Sequence, residues 1–98
     1  IDAEVIDLRT LWPWDKQAVL SSVARTGRLM VVQEAVSVAG FGAEIAATVA
    51  ERAHKSLKAP VTRLGAPRAP IGYSFPLEQM VCVSEERIVE TAKALLRA

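Results

Sequence analysis

"LMVVQEAVSVAGFGAEIAATVAE", Leu29 to Glu51, places an apolar run, two glycines and an alanine-rich helical pattern in succession. Strand, glycine loop and helix is the order in which proteins hold a phosphate, because the amides and dipole at a helix N-terminus favour an anion. A dinucleotide loop needs G-x-G-x-x-G, whose third small residue lets the helix approach the strand. Here Gly40 and Gly42 are followed by Ile45 at that third position, and Glu44 stands in the first helical turn, where it repels a phosphate. The stretch between the apolar run and the glycines is also long for a tight phosphate turn. The residues therefore favour a turn that admits a closely packed helix, with Glu44 serving the helix dipole.

The remaining chemistry-bearing residues are scattered. His54 has no second histidine to pair with and no cysteine near it, and it reads as a solvated helix residue. Cys82 is the only cysteine, so no internal disulfide or zinc cluster can form; after Met80 and Val81 it reads as an inert apolar thiol. Arg52, Lys55, Lys58, Arg63 and Arg68 make the middle of the chain locally basic, either as solvated charges or for an acidic partner. Arg9 and Glu34 each follow a predicted parallel strand, which places both at the carboxyl edge of a sheet, where open α/β folds bind ligands. A structural ion pair between them is the favoured reading. Trp12 and Trp14 flank Pro13, and each fits an interface contact or a core plug equally well. Tyr73 and Phe75 lie in a proline-rich loop, as a docking patch if exposed or a lid if buried.

These residues are positioned by an alternation of strands and helices. "AEVIDL", Ala3 to Leu8, reads as a strand, and Pro13 then interrupts regular structure before Asp15 caps a helix. Val19, Leu20 and Val23 form that helix's apolar face, and Gly27 ends it. "LMVV", from Leu29, is continuous in the manner of strands buried on both faces of a parallel sheet. A second helix is predicted from Phe41 to Leu57. Phe41, Ile45, Val49 and Ala53 form its sheet-facing stripe, while Gly42, Ala46 and Ala50 form a small-residue stripe suited to close approach by another subunit. Glu44, Thr48, Glu51, Arg52 and Lys55 take the solvated side. "VTRL", Val61 to Leu64, alternates as a short strand, and Gly65 to Pro76 form an irregular loop. From Ser84 a last helix buries Ile88, Val89, Ala92, Leu95 and Leu96, with Glu85 and Glu86 at its start and Lys93 and Arg97 near its end.

Composition bounds the function. Ninety-eight residues allow one domain, residues 1–98, with a small core. Hydrophobic residues are 51% and the formal net charge is +1, which gives no long-range pull on nucleic acid. The apolar runs are far shorter than the roughly 18 residues of a membrane span. The expected architecture is a three-layer, Rossmann-like α/β fold with an open, mostly parallel sheet and flanking helices. Three strands are thin for this much helix, so a first strand and helix upstream of Ile1 are expected to complete it.

"EVIDLRTLWPWD", "SVARTGRLMVVQEA", "GFGAEIAATVAE" and "LKAPVTRLGAPRAPIGYS" resemble, in order, one family. It is the C-terminal, transketolase-like domain of the beta subunit in the thiamine-diphosphate-dependent decarboxylating component of 2-oxo acid dehydrogenase complexes. Pyruvate, branched-chain and acetoin enzymes share it. D-L-R-x-x-x-P-x-D alone is loose. With T-G-R-L, Q-E-A and G-x-G-A-E-I-A it becomes specific. The resemblance implies an oxidoreductase whose holoenzyme decarboxylates a 2-oxo acid and acylates lipoyl groups, using thiamine diphosphate and magnesium held in the alpha subunit and the upstream beta domain. It implies no catalytic, cofactor or metal residue in this segment, which is expected to be inactive alone. The implied partners are an alpha subunit, a second beta subunit in an α2β2 assembly, and the subunit-binding domain of the acyltransferase core, with no nucleic acid or membrane. The implied location is bacterial cytoplasm or mitochondrial matrix. The P-W-D and T-G-R-L wording lies slightly nearer branched-chain than pyruvate enzymes. Two alternatives stand beside this reading: a non-catalytic module for a small anion or nucleotide, and the C-terminal domain of another transketolase-type enzyme such as deoxyxylulose phosphate synthase.

Overall fold

Asp15 opens the first helix in the computed structural model, which describes residues 2–67 and 83–98. Its Oδ1 accepts the Ala18 amide at 3.0 Å, satisfying a donor that no helical carbonyl can reach. Helix α1 then runs Lys16–Thr26 and stops at Gly27, whose φ of 74° is left-handed and whose N–H returns to the Val23 carbonyl at 2.8 Å. A side chain at that φ is strained, so glycine is the fitting residue there.

Strand β1 (Met30–Val36) and strand β2 (Thr62–Ala66) pair in parallel, with Met30 opposite Thr62 and Val36 opposite Ala66. The register shifts between Val32 and Val36. Helix α2 (Phe41–Ala53) connects them and ends in a 3₁₀ turn at His54–Ser56, so the predicted helix to Leu57 closes as a tighter last turn. Helix α3 spans Glu85–Arg97, capped by Ser84 Oγ, which accepts the Arg87 amide at 3.2 Å. Helices flanking a small parallel sheet confirm the expected α/β class.

The core lies where α1, α2 and β1 meet. Trp14, Val19, Val23, Ile45 and Val49 are buried there, with Leu8, Leu29, Val31 and Phe41 packed around them. Burying a valine- or isoleucine-sized side chain contributes about 1.5–3 kcal/mol, so this cluster carries most of the apolar stabilisation. Helix α3 stands apart from it. It rests against β2, none of its residues is fully buried, and Val89 and Leu96 of its predicted inner face are about half exposed (48% and 50%).

Two expectations are corrected. Ala3–Leu8 forms no strand: among the described residues the sheet has two strands, and Val5 is 87% exposed. A strand needs a neighbour to receive its backbone groups. This segment is instead tied by side chains, the Arg25 guanidinium reaching both Glu4 oxygens at 2.7 Å and the Ser22 hydroxyl donating to Glu4 Oε2 at 3.1 Å. Thr48 is buried rather than solvated, because its hydroxyl donates to the Glu44 carbonyl at 2.9 Å and its methyl can then face the core. Arg68, Tyr73, Phe75, Met80, Val81 and Cys82 lie outside the described residues, as does most of the proline-rich loop.

Candidate functional site

The junction between the end of β1 and the start of α2 is where a ligand of an α/β layer is first sought. Its occupant is internal. Gln33, on β1, extends its carboxamide into the turn: Oε1 accepts the Gly42 N–H at 2.7 Å and Nε2 donates to the Val36 carbonyl at 2.9 Å. The Ala43 N–H donates to the Gly40 carbonyl at 3.0 Å. Two of the amides that an anion would need are therefore already bonded. The exposed Glu44 adds negative charge in the same turn. The anion-binding alternative loses its geometric basis here.

Small residues close the same junction. A Cβ on Gly42 would stand 2.8 Å from Gln33 Oε1 and 3.1 Å from Val31 Cγ1. One on Gly65 would stand 2.5 Å from Ser37 Oγ and 2.8 Å from the Ala35 carbonyl. The turn between β1 and α2 is held from β2 as well, since Arg63 Nη1 donates to the Ser37 carbonyl at 2.8 Å. Ala39 in that turn takes φ 56°, a left-handed value uncommon outside glycine.

The small-residue stripe of α2 is thus split. Gly42 is buried against the chain's own β1 and is corrected from an interface residue to an internal contact. Ala46 is half-buried and Ala50 is exposed. The tryptophans divide in the same way. Trp14 is 5% exposed and meets Phe41 edge-on with ring centroids 5.8 Å apart, so its interface reading fails. Its buried indole N–H has no hydrogen-bond partner among the described residues. Trp12, two positions earlier, is 81% exposed, with the Lys16 ammonium 5.8 Å from its ring.

Arg9 and Glu34 do not meet. Arg9 takes φ 61°, donates its backbone N–H to Asp7 Oδ1 at 3.3 Å, and pairs with the same carboxylate at 3.6 Å. Glu34 lies inside β1 rather than after it and is exposed, because β1 continues to Val36. A carboxylate two residues away in a tight turn reaches Arg9 before one on another strand can. His54 is exposed as the first residue of the 3₁₀ turn.

Glu4 is an acid with a displaced pKa. The hydrogen bond from Arg25, and then that from Ser22, hold its carboxyl below the usual carboxylate range. It is exposed on the lead-in segment and tied to α1 by those two hydrogen bonds, so it acts as a strap. No group of three or more metal-ligating side chains gathers among the described residues. Sequence reasoning missed Gln33, whose partner is nine positions away. The only available signal was a polar residue interrupting an apolar strand.

Comparison with known proteins gives a consistent result. The sequence profile described as "Transketolase, C-terminal domain" matches residues 1–88. The 2-oxoisovalerate dehydrogenase subunit beta 2, mitochondrial, of Arabidopsis thaliana is 56% identical over 64 residues, 65% of this chain and 18% of that protein. The pyruvate dehydrogenase E1 component subunit beta of Staphylococcus epidermidis is 47% identical over 94 residues, 95% of this chain and 28% of that protein. The acetoin:2,6-dichlorophenolindophenol oxidoreductase subunit beta of Cupriavidus necator is 39% identical over 97 residues, 99% and 29% respectively. The chain therefore spans less than a third of the length of these relatives.

Proposed function

Since this chain belongs to the transketolase C-terminal domain family, we propose that it is the association domain of the beta subunit of a 2-oxo acid dehydrogenase's decarboxylating component. The observation that carries the proposal is the likeness to named beta subunits, over 95% of this chain for a pyruvate dehydrogenase, 65% for a 2-oxoisovalerate dehydrogenase and 99% for an acetoin oxidoreductase. The assembled enzyme would oxidatively decarboxylate pyruvate or a branched-chain 2-oxo acid and acylate lipoyl groups. The alpha subunit, a second beta subunit and the acyltransferase core are its proposed partners, in the bacterial cytoplasm or the mitochondrial matrix. No helix of the described residues is long and apolar enough to cross a membrane.

Thiamine diphosphate and magnesium belong to the proposed holoenzyme. The described residues do not fit either group. The junction amides that could take a diphosphate are bonded to Gln33 and to the Gly40 carbonyl. No step of the reaction is therefore assigned to residues of this segment. What the segment contributes is a fixed shape: the Gln33 clamp and the tight glycine contacts hold β1, α2 and β2 together, while exposed Trp12, with Ala46 and Ala50, is left for neighbouring chains.

The test is co-expression of the full-length beta subunit with its alpha subunit, followed by turnover of pyruvate and of 3-methyl-2-oxobutanoate in the presence of the cofactors. Decarboxylation of either acid by a heteromeric assembly is the expected result. A full-length subunit that forms no assembly and turns over neither acid overturns the proposal.

A further inference from the structure

Three helix ends converge on one pole of the molecule. The Lys58 N–H donates to the Gly27 carbonyl at 2.7 Å, joining the end of α1 to the segment that follows α2. Arg28 Nε donates to the Leu95 carbonyl at 3.1 Å, joining the same corner to the last turn of α3. The carboxyl-terminal ends of α1 and α3 and the segment that follows α2 therefore meet at this corner, and the stretches of chain that lead to it carry Arg25, Arg28, Arg52, Lys55, Lys58 and Arg97.

The charges there are unequal. Glu51 adjoins Arg52 in sequence, and Glu4 reaches this corner only through Arg25, which already holds it. Among the described residues no carboxylate lies within ion-pair distance of Arg52, Lys55, Lys58 or Arg97, and all four are exposed. Cations near helix C-termini offset the dipole, which accounts for Arg25, Arg52 and Arg97. Lys55 and Lys58 lie beyond α2, and the dipole does not explain Lys58. Its methylene stem packs so closely over Gly27 that a Cβ there would come within 2.8 Å of Lys58 Cγ and Cδ. The stem is held while the ammonium faces water, which lowers the entropy lost when it meets an anion.

We propose that this pole is a docking surface for an acidic protein segment. Asp15, Glu44, Glu85 and Glu86 lie at the opposite ends of the same helices, so the field is a dipole and the net charge is only +1. A short acidic segment can lie within the positive pole, whereas a long polyanion such as duplex DNA would extend toward the negative one. The exposed Trp12, the side chain best suited to stacking a base, lies before the start of α1, away from this pole.

The experiment uses the full-length subunit in its assembled enzyme and a fluorescent oligoglutamate peptide as probe. Saturable binding that weakens with added salt is expected. The triple variant Arg52→Glu, Lys55→Glu, Lys58→Glu should bind about 10-fold more weakly or worse, since three exposed pairs are lost and repulsion is added. Lys16→Glu with Arg87→Glu, at the opposite pole, should bind as the wild type does. If the glutamate triple does not assemble, Lys55→Gln with Lys58→Gln should still shift binding in the same direction. Absence of binding by the wild type, equal binding by the triple variant, equal loss in the opposite-pole control, or tighter binding of duplex DNA at the same ionic strength each overturns the proposal. Turnover of 2-oxo acid in the same samples separates this failure from failure of the family reading, because none of these residues is placed in the reaction.

Discussion

The β1–α2 junction and the lead-in segment before α1 use their side chains in opposite ways. At the junction, polar groups are bonded within the chain and small residues touch backbone and side chains at the limit of contact. In the lead-in segment Val5 and Trp12 are more than four-fifths exposed, and the backbone is tied down by one exposed ion pair and a hydroxyl. The two regions were the strongest functional signals in the sequence. The junction, which looks like a ligand site, is closed on itself, whereas the lead-in, which looks like a strand, leaves apolar surface open. A glycine loop thus argues for close packing unless its amides are free. An exposed tryptophan on a tethered segment argues for a neighbour.

The largest effect expected of a single change tests whether the junction is as tight as its geometry implies. Gly65→Val places a branched side chain against the Ala35 carbonyl and Ser37 Oγ, and backbone cannot rotate away as a flexible side chain can. A loss of about 3 kcal/mol is expected, read as a lower denaturation midpoint of the full-length subunit. An unchanged midpoint would mean that β2 does not approach the turn this closely.

How much of this was legible depends on the range of the interaction. The ends of α1 were readable because Asp15 bonds three residues away and Gly27 bonds four residues back. The start of α2 was readable from its apolar spacing. Thr48 and Ala3–Leu8 depart from their sequence patterns for different reasons. A threonine hydroxyl can bond the preceding turn, which makes burial possible for a residue that pattern reading assigns to water. A strand's existence depends on a partner that its own sequence does not contain. Gln33 was invisible as a clamp because nothing local reveals that its carboxamide meets an amide nine residues on. The expected pairing of Arg9 with Glu34 requires both to follow strands, and neither does.

Gln33→Ala asks whether the clamp or the glycine packing dominates. Removing the carboxamide leaves the Gly42 N–H and the Val36 carbonyl without their partners in a half-buried turn. The expected cost is about 2 kcal/mol, smaller than that of Gly65→Val because water can partly replace the amide. A larger loss than Gly65→Val would invert the ranking and make the hydrogen bonds, rather than close packing, the chief support of the junction.

Trp12→Ala probes the other side of the comparison. The side chain is exposed, so the stability of the chain itself should change by less than about 0.5 kcal/mol. Assembly with partner subunits should weaken by more than about 1 kcal/mol if the indole sits within an interface. Analytical ultracentrifugation of the co-expressed subunits measures this. Unchanged assembly would remove Trp12 from the interface and leave the lead-in's apolar exposure without that explanation.

The smallest effect concerns the strap itself. Glu4 has its carboxyl lowered from an ordinary 4.5 by the Arg25 and Ser22 hydrogen bonds, and both members of the ion pair are exposed, so salt screens much of the interaction. Because the folded value lies below the unfolded one, the strap's contribution is present above the unfolded pKa and is lost as pH falls through the folded pKa. A carboxyl titration followed by NMR should therefore find Glu4 with a lower midpoint than the same group in Arg25→Ala. Raising the salt concentration should bring the two midpoints together. If Arg25→Ala leaves the midpoint unchanged, the lead-in is not held by this pair. Its position against α1 would then depend on the Leu8 contact with the core, which has no pH dependence, and the contrast between a bonded junction and a strapped segment would become one between two kinds of packing.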